Sequence, residues 1–190
     1  MASNPQAAPG DLEQVRDFVN TLDIDDREEA FADAAALHDW LAERGLLGTG
    51  ESLSEADLRQ AIAVREALRK LLLANNGAPL DREAVETLNA AAKSAELVMR
   101  FHDDGSGFLA AVRPGIDGAL GRLLAIAFGA MADGSWPRLK ACPDHTCEWA
   151  FYDSSKNRSK TWCSMAVCGN RAKARAYRAR HAAGAHGHSG

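Results

Sequence analysis

The placement of the cysteines constrains this sequence more than any other feature. The chain has 190 residues and four cysteines, all of which lie between Cys142 and Cys168. They form two close pairs, Cys142 with Cys147 and Cys163 with Cys168, and fifteen residues (148–162) separate the pairs. Two thiolate pairs at such spacing are typical of tetrahedral zinc, because each pair comes from one tight turn and the intervening segment brings the turns together. The sequence therefore predicts one structural Zn²⁺ per chain.

Other interpretations of the cysteine cluster stay open at this point. The four cysteines could instead be buried free thiols or contain a redox-active pair. A thioredoxin-type redox site has two residues between its cysteines, whereas each pair here has four. His145 is an alternative ligand in place of one cysteine. A catalytic zinc is disfavoured, because four thiolates leave no coordination position for water or substrate.

Charge divides the chain at nearly the same place as the cysteines do. Residues 1–140 carry 23 acidic and 14 basic side chains, a net charge of −9, whereas residues 141–190 carry 3 and 8, a net charge of +5. Such asymmetry is typical of an acidic body with a basic end that meets a polyanion. A nucleic acid is therefore the expected partner.

Hydrophobic periodicity predicts a mainly helical (α+β) body over residues 11–138. Four helices are predicted before residue 97. The first begins at Asp11, the second just before Phe31, the third at a capping box formed by Ser54 and Asp57, and the fourth after Asp81. A period of two over residues 97–112 predicts one β-hairpin. Residues 116–132 are apolar on nearly every face, so we expect a buried central helix. With that core, the body is expected to fold without the last fifty residues.

Residues 139–181 are expected to form a treble-clef-like zinc module. A strand pattern over 148–153 separates the cysteine pairs, and a strong helix former over 171–180 follows the last cysteine. Residues 1–10 and 182–190 are expected to be disordered. The sequence shows neither a signal peptide nor eighteen consecutive apolar residues, so we expect a cytoplasmic protein with no membrane partner.

The basic residues of the zinc region are candidate DNA contacts, because ammonium and guanidinium groups bind phosphate and the intervening alanines permit close approach. There are two alternatives. In the first, the basic face docks on the acidic body or on a protein partner; in the second, it is only a solvated surface that keeps the protein soluble. For Arg171, a second role has the same weight as phosphate contact, namely a hydrogen bond to a zinc-bound thiolate or to Asp153 that supports the zinc site. Asn170 is a candidate for stabilising the turn that carries the last cysteine. The nucleic-acid candidates are Lys156, Arg158, Lys160, Arg171, Lys173, Arg175 and Arg178.

Asn20 and Thr21 are polar residues on an otherwise apolar helix. They predict either a satisfied buried hydrogen bond or a small-molecule pocket for an unknown effector. The body contains no glycine-rich phosphate loop, no histidine pair at metal spacing and no nucleophile motif. We therefore expect no enzymatic activity, and an enzyme or ligand-binding site in the body is the second alternative function.

Several motifs resemble the CGNR zinc-finger family, in which a zinc module follows an ABATE domain in bacterial proteins. The resemblance covers roughly residues 11–181 and implies a stress-induced transcriptional regulator that binds DNA through its zinc end. A zinc-stabilised protein-interaction module is the first alternative, and a homodimer is compatible with a single recognition helix. The matching motifs are Cys168-Gly169-Asn170-Arg171, Trp162-Cys163-Ser164-Met165, Phe151-Tyr152-Asp153 and Lys156-Asn157-Arg158 in the zinc region, and Phe18-Val19-Asn20-Thr21-Leu22-Asp23, Trp40-Leu41 and Leu46-Leu47 in the body.

Overall fold

The computed structural model describes residues 7–48 and 50–185, with side chains as far as His181. Helices alternate with three pairs of short antiparallel strands over these residues, which agrees with the predicted mainly helical α+β class. The helices are α1 (Leu12–Val19), α2 (Ala34–Glu43), α3 (Glu55–Ala74), α4 (Arg82–Ser94), α5 (Gly115–Asp133) and α6 (Asn170–Ala185), with a 3₁₀ turn at Trp136–Arg138 and a π-helical turn at Met165–Gly169. The strands are β1 (Leu22–Asp23), β2 (Glu28–Glu29), β3 (Leu97–Phe101), β4 (Gly107–Ala111), β5 (Leu139–Ala141) and β6 (Ala150–Tyr152).

Side-chain caps start the helices of the body. The Ser54 hydroxyl accepts from the backbone N–H of Asp57, and the Asp57 carboxylate accepts from the backbone N–H of Ser54, which confirms the predicted capping box. Asp81 caps α4 by accepting from the backbone N–H of Ala84. Each such cap satisfies a helix N–H that has no partner within the helix, a contribution of about 1 kcal/mol.

The predicted hairpin is confirmed as β3 and β4, which pair from Leu97 opposite Ala111 to Phe101 opposite Gly107. Helix α5 packs against this hairpin through Gly121. A Cβ atom at Gly121 would lie 2.5 Å from the Cβ of Ala95 and 2.8 Å from the Cβ of Ala111, so only glycine permits this approach.

Helix α5 is the central helix of the body, and it is also long and apolar enough to cross a membrane by length and composition alone. Its Ala119, Leu120 and Leu123 are fully buried in the protein core. Its burial is not complete, since Phe128 and Met131 are 47% and 46% exposed. These two residues lie in the last turns of the helix.

The acidic stretch after α1 forms a turn between two short strands, which the sequence analysis missed. Strand β1 pairs with β2, with Leu22 opposite Glu29. The Asp23 carboxylate accepts hydrogen bonds from the backbone N–H groups of Asp25 and Asp26, which closes the turn. An aspartate that folds back on its own backbone favours a turn over a helix.

The zinc region shares its hydrophobic core with the body. Trp136, Leu139, Ala141 and Ala150 are buried in the same cluster as the core residues of α1, α3 and α5. The expectation that the body folds alone up to residue 138 conflicts with this arrangement, because removing β5 and β6 exposes the apolar surface that they cover.

Polar side chains reinforce this joint, and we call them the interdomain seam: Asn20, Arg69, Asn75 and Asn76. The Asn75 amide donates to the carbonyls of Trp136 and Leu139 at 3.0 and 2.9 Å. The Asn76 amide donates to the carbonyls of Ala141 and Thr161 at 2.8 and 2.7 Å. Arg69, which is 1% exposed, donates to the carbonyl of Glu148. The body therefore supplies hydrogen bonds that the zinc region needs.

Both ends of the described chain are more ordered than expected. Ala8 is buried, and its N–H donates to the Glu13 carboxylate at 2.6 Å, whereas residues 1–6 of the expected disordered segment lie outside the described residues. Helix α6 continues to Ala185, so residues 182–185 are helical where a disordered tail is expected. Alanine has the highest helix propensity, which extends the helix past the predicted boundary. Residues 186–190 lie outside the described range.

Candidate metal centre and basic helix

The four cysteines meet at one point between β5 and α6. All four are buried, and their Sγ atoms lie within 4.8 Å of one another. The Sγ atom of Cys163 lies 3.5 Å from that of Cys147 and 3.7 Å from that of Cys168. Sulfur atoms at the corners of a tetrahedron around zinc are about 3.8 Å apart, since each Zn–S bond is about 2.3 Å. The donor set therefore fits a single tetrahedral zinc ion.

A tight turn presents the first cysteine pair. The backbone N–H of Cys142 donates to the Trp149 carbonyl, and that of Cys147 donates to the Asp144 carbonyl. The fully buried Asp144 carboxylate accepts from Thr146 and lies 3.3 Å from the Arg175 guanidinium. Burial raises the pKa of Asp144, but the hydrogen bonds from Thr146 and Arg175 outweigh it and hold the pKa below its usual value. A charged Asp144 thus fixes this turn to α6.

A second turn presents the other pair. The Ser164 hydroxyl accepts from the backbone N–H of Val167, and the Ser164 carbonyl accepts from that of Gly169. Gly169 lets the Met165 side chain pack against this turn, because a Cβ atom would collide with the Met165 sulfur, which would then have to move, and would lie 3.4 Å from Trp162. Phe151 is fully buried beside the cysteines, and Trp162 packs against them. Aromatic side chains therefore form the small core of this module.

The proximity of the sulfur atoms shifts their ionisation. Hydrogen bonds from the thiols of Cys147 and Cys163 lower the pKa of Cys142 to about 2. Donating that hydrogen bond raises the pKa of Cys147, and it raises the pKa of Cys163 to about 12. Four such groups do not ionise together without a nearby positive charge, which is the charge that a divalent cation provides.

The alternative ligand and the redox alternative do not fit this arrangement. His145 is exposed and lies outside the ligand group, which consists of the four cysteines. The cysteines are free rather than paired in disulfides. Their burial further limits oxidation, because a redox-active thiol is accessible to solvent.

Two protein families match the chain in succession. Residues 14–134 match the ABATE family, described as "Putative stress-induced transcription regulator". The chain belongs to the ABATE family. Residues 138–181 of this ABATE protein match the CGNR zinc finger, so the order of the two regions confirms the resemblance seen in the sequence. A search of curated proteins finds no match.

The cluster in this ABATE protein is a structural zinc site with one Zn²⁺ per chain, held by the four cysteines. Bound zinc would supply the charge that keeps all four sulfurs as thiolates, and would fix the two turns to each other. Since every ligand is a cysteine, the site is closed.

The CGNR residues have distinct structural roles. Cys168 is a ligand and Gly169 permits close packing, as described above. The Asn170 amide donates to the Ala166 carbonyl at 3.0 Å, which closes the turn before α6. Arg171 donates both guanidinium N–H groups to Asp25, at 3.0 and 2.8 Å. Its pKa is raised by this hydrogen-bonded pair. The predicted Arg171 contacts with a thiolate or Asp153 are replaced by this ion pair to the β1–β2 turn.

Asp153 stabilises the basic loop instead. This fully buried carboxylate lies 2.7 Å from the Lys140 Nζ and accepts from Ser155 and the Lys160 backbone. Burial raises its pKa, but the hydrogen bonds from Lys140 and Ser155 dominate and lower it to about 2. Lys140 also donates to the carbonyl of Arg158, so the loop over residues 153–160 has a fixed backbone.

The structure separates the candidate DNA contacts into engaged and available side chains. Arg171 and Arg175 pair with aspartates, and the Lys160 Nζ lies 5.0 Å over the Phe151 ring. Arg178 uses its Nε in a bond to the Ala174 carbonyl. The exposed candidates without a side-chain partner among the described residues are Lys156, Arg158 and Lys173.

The sequence analysis left three exposed residues of α6 out of its candidates: Tyr177, Arg180 and His181. The rings of Tyr177 and His181 lie 4.1 Å apart between centroids. Tyr177 follows Lys173 by four residues, Arg180 follows Tyr177 by three, and His181 follows Tyr177 by four, so the four residues lie on one helix face. The sequence alone places Lys173 and Arg180, seven residues apart, on one helix face. The signal that was overlooked is that Tyr177 and His181 share that face.

Asn20 and Thr21 are used inside the protein. The Asn20 amide donates to the Ala150 carbonyl at 2.9 Å and accepts from the Ala150 N–H at 2.7 Å. The Thr21 hydroxyl donates to the Phe18 carbonyl and accepts from the Arg65 guanidinium. Both residues border a cavity of about 320 Å³, but these hydrogen bonds favour the structural interpretation over the predicted ligand pocket.

Proposed function

We propose that this ABATE protein is a DNA-binding transcription regulator whose contact surface is the outward face of α6 together with the loop over residues 156–158. The observation that carries the proposal is the charge and exposure of α6. The helix has sixteen residues and five basic side chains but no acidic one. Residues 173, 174 and 176–181 are exposed.

The two faces of α6 differ in what they contact. Arg171 and Arg175, four residues apart, point toward the protein and pair with Asp25 and Asp144. The opposite face carries Lys173, Tyr177, Arg180 and His181, and the lysine and arginine have no side-chain partner in the described part of the chain. An unneutralised cationic face on a protein whose body is acidic favours a polyanion as partner.

The shape of this face also suits duplex DNA. An isolated α-helix fits into the major groove, and arginine and lysine bind phosphate oxygens or base edges there. Alanines at positions 172, 174, 176 and 179 keep the helix narrow. A helix that docks on a protein core normally carries a wide apolar stripe, whereas the one large apolar side chain of α6 is Tyr177. These features support DNA over a protein partner.

The proposal is tested by titrating fluorescent duplex DNA with zinc-loaded protein at several salt concentrations. Four available cations (Lys156, Arg158, Lys173 and Arg180) predict a slope of log affinity against log salt of about −4. Lys173→Glu combined with Arg180→Glu is expected to weaken binding to all duplexes and to reduce the slope by about 2.

The matched control reverses two exposed arginines of the body, Arg59 and Arg82, to glutamate, which changes the net charge equally. The control is expected to retain most of the affinity and the slope. Salt-insensitive binding of the wild type, or an equal loss in both double variants, contradicts DNA contact through α6. Tight binding to an acidic peptide instead of DNA would favour the protein-interaction alternative.

Two further parts of the proposal follow from the site. We propose that the protein is not an enzyme at its zinc centre, because four thiolates leave no position for a substrate. We place it in the cytoplasm, where a reducing environment keeps zinc-binding cysteines from forming disulfides and where bacterial DNA is accessible. The ABATE body, in this proposal, senses a small-molecule effector.

A further inference from the structure

A cavity of about 520 Å³ opens in the ABATE body between α1, the end of α2, β4 and α5. None of the cysteines and none of the candidate DNA contacts lines it. Its lining combines two cationic groups, two hydrogen-bond acceptors and an apolar wall. Such a combination of apolar surface and a few polar groups is typical of small-molecule sites.

Arg44 and Arg122 supply the cationic groups. Arg122 donates from one terminal nitrogen to the Leu46 carbonyl at 2.7 Å. Arg44 stacks 3.9 Å from the Trp40 ring centroid, donates to the Trp40 carbonyl at 3.2 Å and lies 3.6 Å from the exposed Glu43 carboxylate. These contacts fix each guanidinium and leave N–H groups for which the described residues offer no partner. Fixed guanidinium groups bind carboxylates well, because little side-chain entropy remains to be lost.

Asp11 and Gln14 supply the acceptors. They are three residues apart at the start of α1, and the Gln14 N–H donates to the Asp11 carbonyl, so their side chains are neighbours. The Gln14 Oε1 atom is buried and has no hydrogen-bond partner among the described atoms. The Asp11 carboxylate does not cap its helix. A buried acceptor without a donor is destabilising. A ligand that brings a donor group to this side of the cavity would satisfy the Gln14 oxygen.

The apolar wall comes from β4, α5 and the loop after α2. Phe108 and Leu109 contribute from the strand, Ile126 from the helix and Leu46 from the loop. A ligand for this cavity therefore needs an anionic group, a donor group and an apolar part within one small molecule.

We propose that this cavity binds a free α-amino acid with an apolar side chain. Its carboxylate pairs with Arg44 and Arg122, its ammonium group donates to Asp11 and Gln14, and its side chain packs on Phe108 and Ile126. A simple carboxylic acid offers no donor to the two acceptors, and a simple amine offers no anionic group to the two arginines. The role of this cavity as an effector site rests on the proposed function, whereas the binding of an amino acid does not.

Isothermal titration of the full zinc-loaded chain tests the assignment. The probes are L-phenylalanine and L-leucine, together with 3-phenylpropionate, which lacks the ammonium group, and phenethylamine, which lacks the carboxylate. At least one amino acid is expected to bind, and the two analogues are expected to bind at least about tenfold more weakly than L-phenylalanine. If neither amino acid binds, or if 3-phenylpropionate binds as tightly as L-phenylalanine, the assignment is wrong.

Three variants locate the binding. Arg122→Met is expected to weaken amino-acid binding at least about tenfold and to leave phenethylamine unchanged. Asp11→Asn is expected to weaken the amino acid and to leave 3-phenylpropionate unchanged. Gln14→Leu removes the unsatisfied acceptor, so it is expected to bind the amino acid more weakly while its thermal stability is retained or raised. Arg82→Met, on exposed α4 surface, is the matched control and should bind as the wild type does.

A last measurement separates this site from the proposed function. The duplex titration is repeated with and without saturating amino acid. If the protein binds the amino acid but not DNA, the amino-acid site stands and the proposed function is wrong. DNA binding that the amino acid alters supports both, and unaltered DNA binding retains the site but rejects its role as an effector site.

Discussion

Asn20→Ala tests whether the zinc region and the ABATE body are one folding unit. The Asn20 amide makes two hydrogen bonds to the backbone of Ala150, which is fully buried in β6. Alanine at position 20 leaves that N–H and that carbonyl without partners. Each unsatisfied buried backbone group is destabilising by about 1–3 kcal/mol, so we expect a loss of about 3 kcal/mol. Typical domains have only about 5–15 kcal/mol of stability, so the loss is easily measured.

The assay is urea unfolding of the zinc-loaded protein, followed by two probes. Far-UV circular dichroism reports the helices, most of which belong to the body, and a chromophoric chelator reports release of zinc. Because the two regions share a core, both midpoints should fall together in Asn20→Ala. Asn89→Ala is the matched control, since Asn89 is exposed on α4, and its stability should change by less than about 1 kcal/mol.

Two results would refute this reasoning. A loss below about 1 kcal/mol in Asn20→Ala would mean that relaxation or water satisfies the Ala150 backbone. A fall in the zinc-release midpoint without a matching fall in helix unfolding would mean that the regions unfold independently. Asn20→Asp distinguishes the two hydrogen bonds, because it keeps the acceptor for the Ala150 N–H and loses the donor to the carbonyl.

Two other predictions concern the metal and the core. Removing zinc with a chelator, or changing Cys168 to Ser, is expected to lower the thermal midpoint of the whole chain in one transition, because β5 lies in the shared core. An unchanged body transition by circular dichroism would contradict this. Gly121→Ala is expected to destabilise by about 1–2 kcal/mol through contact with Ala95 and Ala111, whereas Gly129→Ala in the same helix, with open space around it, should stabilise by up to about 1 kcal/mol. Chemical denaturation of both variants checks the opposite signs.

Local patterns explain what the sequence could predict. The spacing of the cysteines, the capping box at Ser54 and the alternation over residues 97–112 each depend on neighbours a few residues away. The same holds for the family motif around Gly169, whose close contacts come from Met165 and Trp162. Zinc and the mainly helical class were therefore predictable.

The interdomain seam was not predictable, because its contacts join distant parts of the chain. Asn75 and Asn76 carry the signal of a helix end, and they do follow α3, but their amides also bind the β5 carbonyls of Leu139 and Ala141, more than sixty residues away. Arg171 finds its partner, Asp25, 146 residues away. A single sequence holds no pattern that links such pairs, so the basic residues that are neutralised looked the same as those that are available.

The length of α6 limits how much DNA sequence one molecule can distinguish. Sixteen helical residues extend about 24 Å, and duplex DNA rises about 3.4 Å per base pair, so the helix covers at most about seven base pairs. A fully specified sequence of seven base pairs recurs by chance about once in 16,000, which is hundreds of times in a genome of several million base pairs. In the proposed function, one chain therefore does not select a single promoter. Selective regulation requires a second reading unit on the same DNA, such as another copy of this chain bound to an adjacent half-site.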